Sequence, residues 1–236
     1  MQIELTTQSI AARARRRAVL FDVDGTLVDS NGAHARAWSA ASAEFGFERP
    51  PDFFRPLIGM GGDHILPRVD PALRDDAPPG KEIAARRGEI FKERYLAALR
   101  PTRGARALVE FLHAAGWLCI AATSAKPDEL AALLRIAGVE GYVDASATSE
   151  DAEHSKPEPD IVVAALAKGQ LAAADAFLLG DTRYDVDAAA AAGVATVALR
   201  CGGSADADLA GAREIYDDPQ AFLERIQAAT PSSASE

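Results

Sequence analysis

An α/β fold with a Rossmann-like parallel sheet core and an inserted α-helical cap domain is predicted by three features of the chain. Short apolar runs alternate with helical patterns. The helical patterns stop at glycines. One long stretch interrupts the alternation with helices and proline-rich joints but no convincing strand. Strand–helix alternation requires crossover connections, which are right-handed and produce a parallel sheet. The 236 residues suffice for one large domain, or for one domain carrying an insertion.

In chain order, Val19-Leu-Phe21 is an apolar run ending at Asp22 and reads as a buried central strand. Further strands are predicted at 117–122, 176–179 and 194–199, with a shorter one near 142–145. Helical spacing is read over 103–115, 128–137, 159–168 and 184–192, closing at Gly116, Gly138, Gly169 and Gly193. Glycine is favoured there because it tolerates the left-handed conformation that ends a helix. Between residues 30 and 100 only helices are expected, over 33–45 and 81–99. Residues 50–79 read as loop around Gly59-Met-Gly-Gly62. The domain assignment is therefore residues 1–29 and 101–236 for the core and 30–100 for the helical cap.

Composition narrows the partners. A formal net charge of -10 disfavours nucleic acid and anionic membranes, which attract basic faces. A small phosphorylated ligand needs only a local cationic pocket. No apolar run approaches the roughly 20 residues of a membrane span. Two distant cysteines, Cys119 and Cys201, form neither a disulfide framework nor a CxxC metal pattern, which fits a reducing cytoplasm. Arginines 13, 15, 16 and 17 read as a solvated basic arm, and residues 231–236 as a disordered tail. A monomer or homodimer is expected.

Ligands of open α/β sheets bind outside the carboxyl ends of the strands. Four polar sets fall at such ends: Asp22-Val-Asp24-Gly25-Thr26, Thr123-Ser124, Lys156 within Ser-Lys-Pro-Glu-Pro, and Gly180-Asp181-Thr182-Arg183-Tyr184-Asp185. Clustered carboxylates repel one another and call for a cation. Oxygen-only donors select a hard one, and magnesium is the usual choice beside phosphate. One of Asp22 and Asp24 can attack while the other handles a proton. Lys156 offsets negative charge. The Thr123 hydroxyl and the Ser124 N–H suit phosphoryl oxygens near a helix start. Blander readings exist: Asp185 also suits a first helical turn, and Thr123 a helix cap.

FDVDGTLVD at 21–29 resembles the first signature of the haloacid dehalogenase-like superfamily. Thr123, Lys156 and GDTRYDVDAAAAAG fall in the order of its other three. The insertion resembles the helical cap of the phosphoglycolate phosphatase and β-phosphoglucomutase branch, and the likeness covers residues 17–199. The resemblance implies a magnesium-dependent phosphatase acting on a small phosphorylated metabolite through an aspartyl-phosphate. It makes Asp22 the nucleophile and Asp24 the general acid and base. Thr123 and Lys156 hold the phosphoryl group. Magnesium sits on Asp22, the Asp24 carbonyl, Asp181 and Asp185. His34, in an HxxAW pattern with Trp38, becomes a substrate contact beside Ser124. A phosphomutase is the alternative, in which His64 or Arg68 would supply the basic grip missing from Gly59–Gly62. A binding protein that senses a phosphorylated ligand is a third possibility, opposed by the intact acid set.

Overall fold

The computed structural model describes residues 17–229. The tail at 231–236 and arginines 13, 15 and 16 lie outside the described residues. The elements are β1 (Ala18–Phe21), α1 (Asn31–Glu44), α2 (Pro51–Phe54), α3 (Gly62–Val69), α4 (Gly80–Arg94), α5 (Ala105–Ala114), β2 (Leu118–Ala122), α6 (Pro127–Ala137), β3 (Ala145–Ala147), α7 (Asp160–Gly169), β4 (Ala176–Gly180), α8 (Arg183–Ala191), β5 (Ala195–Leu199), β6 (Glu214–Tyr216) and α9 (Pro219–Ala229).

The strands form one parallel sheet in the order β3-β2-β1-β4-β5-β6. Strand β1 is central, and all four of its residues are wholly buried. Its side chains alternate between two cores. Val19 and Phe21 join Leu108, Leu112, Leu133 and Phe222 on one face. Ala18 and Leu20 join Ile161, Val162, Ala165 and Ala189 on the other. A sheet covered on both faces accounts for apolar runs without a polar alternation. An aromatic chain of Trp117, Phe177 and Phe222, edge to face at 5.5 and 5.9 Å, ties α9 to the sheet.

Four details depart from the sequence reading. Residues 140–142 form a 3-10 turn, and the neighbouring strand begins at Ala145. The stretch read as loop holds α2 and α3, the latter with Pro67 inside it. Strand β6 and helix α9 have no counterpart in the sequence reading. They follow a loop-rich stretch, and β6 is only three partly buried residues. Helix α7 ends not on a left-handed glycine but on Gln170, at φ 54°. Gly169 is small for another reason: a Cβ there would come within 2.7 Å of Leu171 and Ile120.

Between β1 and β2 the chain is helical, and α1 packs along α4. It leaves and re-enters the sheet region through adjacent segments. Asp29 N–H donates to the Arg100 carbonyl at 3.0 Å, and Val28 bridges Pro101. No helix among the described residues is long and apolar enough to cross a membrane.

Because the order reverses around β1, with β2 on one side and β4 on the other, the crevice opens at the carboxyl ends of β1 and β4. The fold thus depends on the buried centre of β1. Phe21→Ala should cost about 3–5 kcal/mol. At roughly 2–4 °C per kcal/mol for a chain of this size, thermal unfolding should move down by about 6–20 °C. A midpoint within about 2 °C of the parent would show that this ring does not anchor the core.

Candidate active site

Asp22 directly follows β1, and its N–H donates to the Leu179 carbonyl of β4 at 2.9 Å. The ladder therefore holds the residue beside Asp181, which directly follows β4. The loop after Asp22 is tight. Leu27 and Val28 N–H groups both donate to the Val23 carbonyl, and Gly25 N–H donates to the Val28 carbonyl at 2.7 Å. Gly25 turns this loop at φ 80°, where a Cβ would overlap Asn31 and the Asp181 carboxylate. Gly202 approaches from the other side, and a Cβ there would also strike Asp181.

Three carboxylates, Asp22, Asp181 and Asp185, are buried with an oxygen of each within 4.8 Å of the others. Lys156 is wholly buried against them. Its Nζ donates to Asp22 Oδ1 at 2.7 Å and to Asp185 Oδ1 at 2.6 Å. The other oxygen of Asp185 accepts from Thr182 N–H and Oγ1, a capping box that opens α8. Asp181 accepts from Thr26 Oγ1 at 2.9 Å and Asn31 Nδ2 at 2.8 Å. The sequence thus marked both roles of Asp185: it closes a first helical turn and it faces the acid cluster.

Burial raises the Asp22 carboxyl to about 7, with Asp185 and Asp24 adding repulsion against the pull of Lys156. Burial likewise pushes Asp181 well up, helped by the charges of Asp22 and Asp185. Three carboxylates against one ammonium leave two negative charges uncompensated. That deficit, in a pocket of oxygen donors, suits one hard divalent cation.

Asp24 points elsewhere. Its Oδ1 accepts from Ser30 Oγ at 2.5 Å and lies 2.8 Å from His34 Nε2. Burial alone would raise this carboxyl, but attraction and hydrogen bonding from His34, with Ser30 and Arg87, hold it below the ordinary carboxylate value. His34 is buried and stacked on Phe91 at 4.0 Å. Its ring is committed to Asp24, although it also borders the cleft.

The cleft beside Asp22 and Asp24 is lined by His34, Trp38, Gly59–Gly62, Thr123, Ser124 and two residues that sequence reasoning missed, Arg87 and Glu129. Thr123 is buried, and its Oγ1 accepts from Ala125 N–H at 3.1 Å. Ser124 Oγ is buried without a hydrogen-bond partner. Arg87, from α4, had no sequence signal beyond a pair of arginines in a polar helix. Glu129, from α6, resembles any acid in a first helical turn. His64 and Arg68 do not line this cleft. His64 Nε2 lies 2.7 Å from Glu158, and Arg68 is exposed. Asp63 instead accepts from Ser155 N–H and Oγ at 2.9 and 2.5 Å, joining the Gly59–Gly62 segment to the loop that carries Lys156.

Residues 16–193 match the haloacid dehalogenase-like hydrolase family, and the chain belongs to it. It is an enzyme, a phosphatase-type hydrolase. It is 33% identical over 195 residues to the plasmid CbbY protein of Cupriavidus necator, covering 77% of each chain. It is 31% identical to a phosphoglycolate phosphatase of Pseudomonas savastanoi pv. phaseolicola, over 79% of this chain and 70% of that one. It also resembles a crystal structure of a CbbY point mutant from Rhodobacter sphaeroides in complex with xylulose-(1,5)bisphosphate. There the TM-score is 0.71 and the identity 26%, over 86% of this chain and 95% of the other.

An acid whose native value lies above its unfolded value penalises the fold when ionised. For Asp22 that penalty is absent below its ordinary 3.8, grows as pH rises, and is complete above about 7. In EDTA, Asp22→Asn should therefore melt several degrees higher than the wild type at pH 8. The gap should shrink as pH falls toward 5. Thermal scans across that range would contradict the uncompensated charge if the variant melts no higher at pH 8.

Proposed function

We propose that this enzyme hydrolyses a small phosphorylated metabolite with magnesium, through an aspartyl-phosphate on Asp22. The observation that carries the reading is the buried set of Asp22, Asp181 and Asp185 around Lys156, which is short of two positive charges. Asp22, Asp181 and the Asp24 carbonyl would hold the ion, with Asp185 supporting them. Bound there, magnesium supplies the positive charge that offsets the phosphoryl oxygens.

Lys156 occupies Asp22 Oδ1 and orients the carboxylate, which borders the cleft. An Asp22 oxygen forms a bond to phosphorus as the bond to the leaving oxygen breaks. Thr123 and Ser124 hydrogen-bond the transferred group. The unpartnered Ser124 Oγ favours this. Asp24 gives a proton to the leaving oxygen. Its lowered value favours the carboxylate in the free enzyme, and the negative charge of an arriving phosphoryl group would raise it. Water then attacks phosphorus, Asp24 takes its proton, and phosphate leaves with the Asp22 carboxylate restored. His34 keeps Asp24 turned to that side.

Residues 30–100 act as the cap, hinged at the paired segments around Asp29 and Arg100, and closure excludes water from the first step. Water rather than a sugar hydroxyl is the acceptor, because His64 is already paired and Arg68 lies away from the cleft. Two unpaired cysteines suit a reducing cytoplasm.

The wild type should release phosphate from p-nitrophenyl phosphate with magnesium and stop in EDTA. Asp22→Asn should lose at least about a thousandfold in kcat, an electrostatic and nucleophilic loss of roughly 4 kcal/mol. A variant turning over within tenfold of wild type would remove Asp22 as nucleophile. A beryllium fluoride adduct on any other residue would do the same.

Asp181→Ala should raise the magnesium concentration for half-maximal rate at least tenfold. Calcium should not replace magnesium, because it accepts looser coordination. An unchanged magnesium dependence would take Asp181 off the ligand set.

A further inference from the structure

The second end of the cleft has a charge arrangement that the phosphoryl chemistry does not use. Arg87 and Glu129 enter it from opposite sides, α4 of the helical insertion and α6 beside the sheet. Arg87 Nη1 donates to both Glu129 oxygens, at 3.3 and 3.2 Å. Glu129 is 4% exposed, and Arg87 is the side chain that neutralises it. The guanidinium lies over the Trp38 ring, 5.4 Å from its centroid. Arg87 Nε is buried without a hydrogen-bond partner. A Glu129 oxygen falls within 4.8 Å of the Asp24 and His34 ligand atoms.

We propose that the Arg87–Glu129 pair selects phosphate monoesters whose remaining part is uncharged and hydroxylated, and turns away those carrying a second phosphate or a carboxylate. This rests on the phosphatase reading above and names its substrate class. Arg87 is the one arginine or lysine lining this cleft among the described residues, and it is already engaged. Lys156 lies beneath, engaged by Asp22 and Asp185. A second anion would have to share a guanidinium whose charge the buried Glu129 already offsets, and it would bring excess negative charge into a nearly dry pocket. It would also approach Glu129 and Asp24 as a like charge. A hydroxyl meets no such conflict, since Glu129 accepts from it and Arg87 donates to it. Discrimination thus comes from a repulsive element as much as from an attractive one.

The test compares matched substrates with the full chain and magnesium. The pairs are xylulose 1-phosphate with xylulose 1,5-bisphosphate, and glycerol 3-phosphate with 2-phosphoglycolate. In the wild type, kcat/KM should favour the uncharged partner of each pair at least tenfold. Equal efficiencies, or a preference for the charged partner, would overturn the proposal. Glu129→Gln frees Arg87, and its preference should move at least tenfold toward the charged partners, chiefly through a lower KM for them. An unchanged ratio in a variant with native circular dichroism would also overturn it. If the variant does not fold, the wild-type ratios decide alone. Absence of any hydrolysis of p-nitrophenyl phosphate by the wild type would instead strike the phosphatase reading itself.

Discussion

One buried cation organises the site. Lys156 reaches from the loop before α7 to the end of β1 and the first turn of α8 and meets Asp22 and Asp185 at once. A wholly buried ammonium is costly to desolvate, and only close carboxylates make it tolerable. Its placement in turn lets acids sit where the sheet alone would bury apolar groups. Even so, the balance is incomplete. Asp22 and Asp181 are pushed toward their neutral forms, which marks the place where further positive charge belongs. The neighbouring glycines follow from the same crowding, since Gly25 and Gly202 leave no room for a side chain against Asp181.

Asp24 lies two residues from Asp22 but inhabits a different environment. Asp22 is raised by burial and by its acidic neighbours, whereas Asp24 is lowered by His34, Ser30 and Arg87. Opposite shifts on acids two residues apart fit the proposed division of labour between a group that bonds to phosphorus and one that moves protons. That division depends on the helical insertion, because His34 and Arg87 both come from it. The insertion therefore sets the charge environment of Asp24 as well as lining the cleft. Its ties to the sheet region include Asp63 with Ser155, His64 with Glu158 and Arg87 with Glu129. Each joins it to a loop or helix start bordering the reaction centre.

One relative is a phosphoglycolate phosphatase, and another of the same fold holds xylulose-(1,5)bisphosphate. Such divergence is expected when one end of a cleft grips phosphate and another end reads what is attached to it. In this chain the end proposed to do that reading holds Arg87 paired with a buried Glu129, with Trp38 and a segment of three glycines and Met60 beside them.

Much of this was legible in the chain itself. Apolar runs buried on both faces and helices stopped by glycine belong to local chemistry, so β1, β2, β4, β5 and the flanking helices could be read directly. Asp22, Asp24, Thr123 and Asp181 stood out as polar residues because each follows the end of such a run, whereas Lys156 stood out only within Ser-Lys-Pro-Glu-Pro. The short edge strand β6 was not, since three half-buried residues carry no distinctive period. The partnerships across the cleft were not legible either. Arg87 and Glu129 are 42 residues apart, and each looks ordinary within its own helix. His34 likewise gave no sign that it would turn to Asp24 rather than to a ligand. Local sequence determined which residues sit at the strand ends, because backbone pairing and burial act over a few residues. Only the tertiary structure decided which charges neutralise one another, because that depends on the distances between distant segments once the insertion is seated on the sheet.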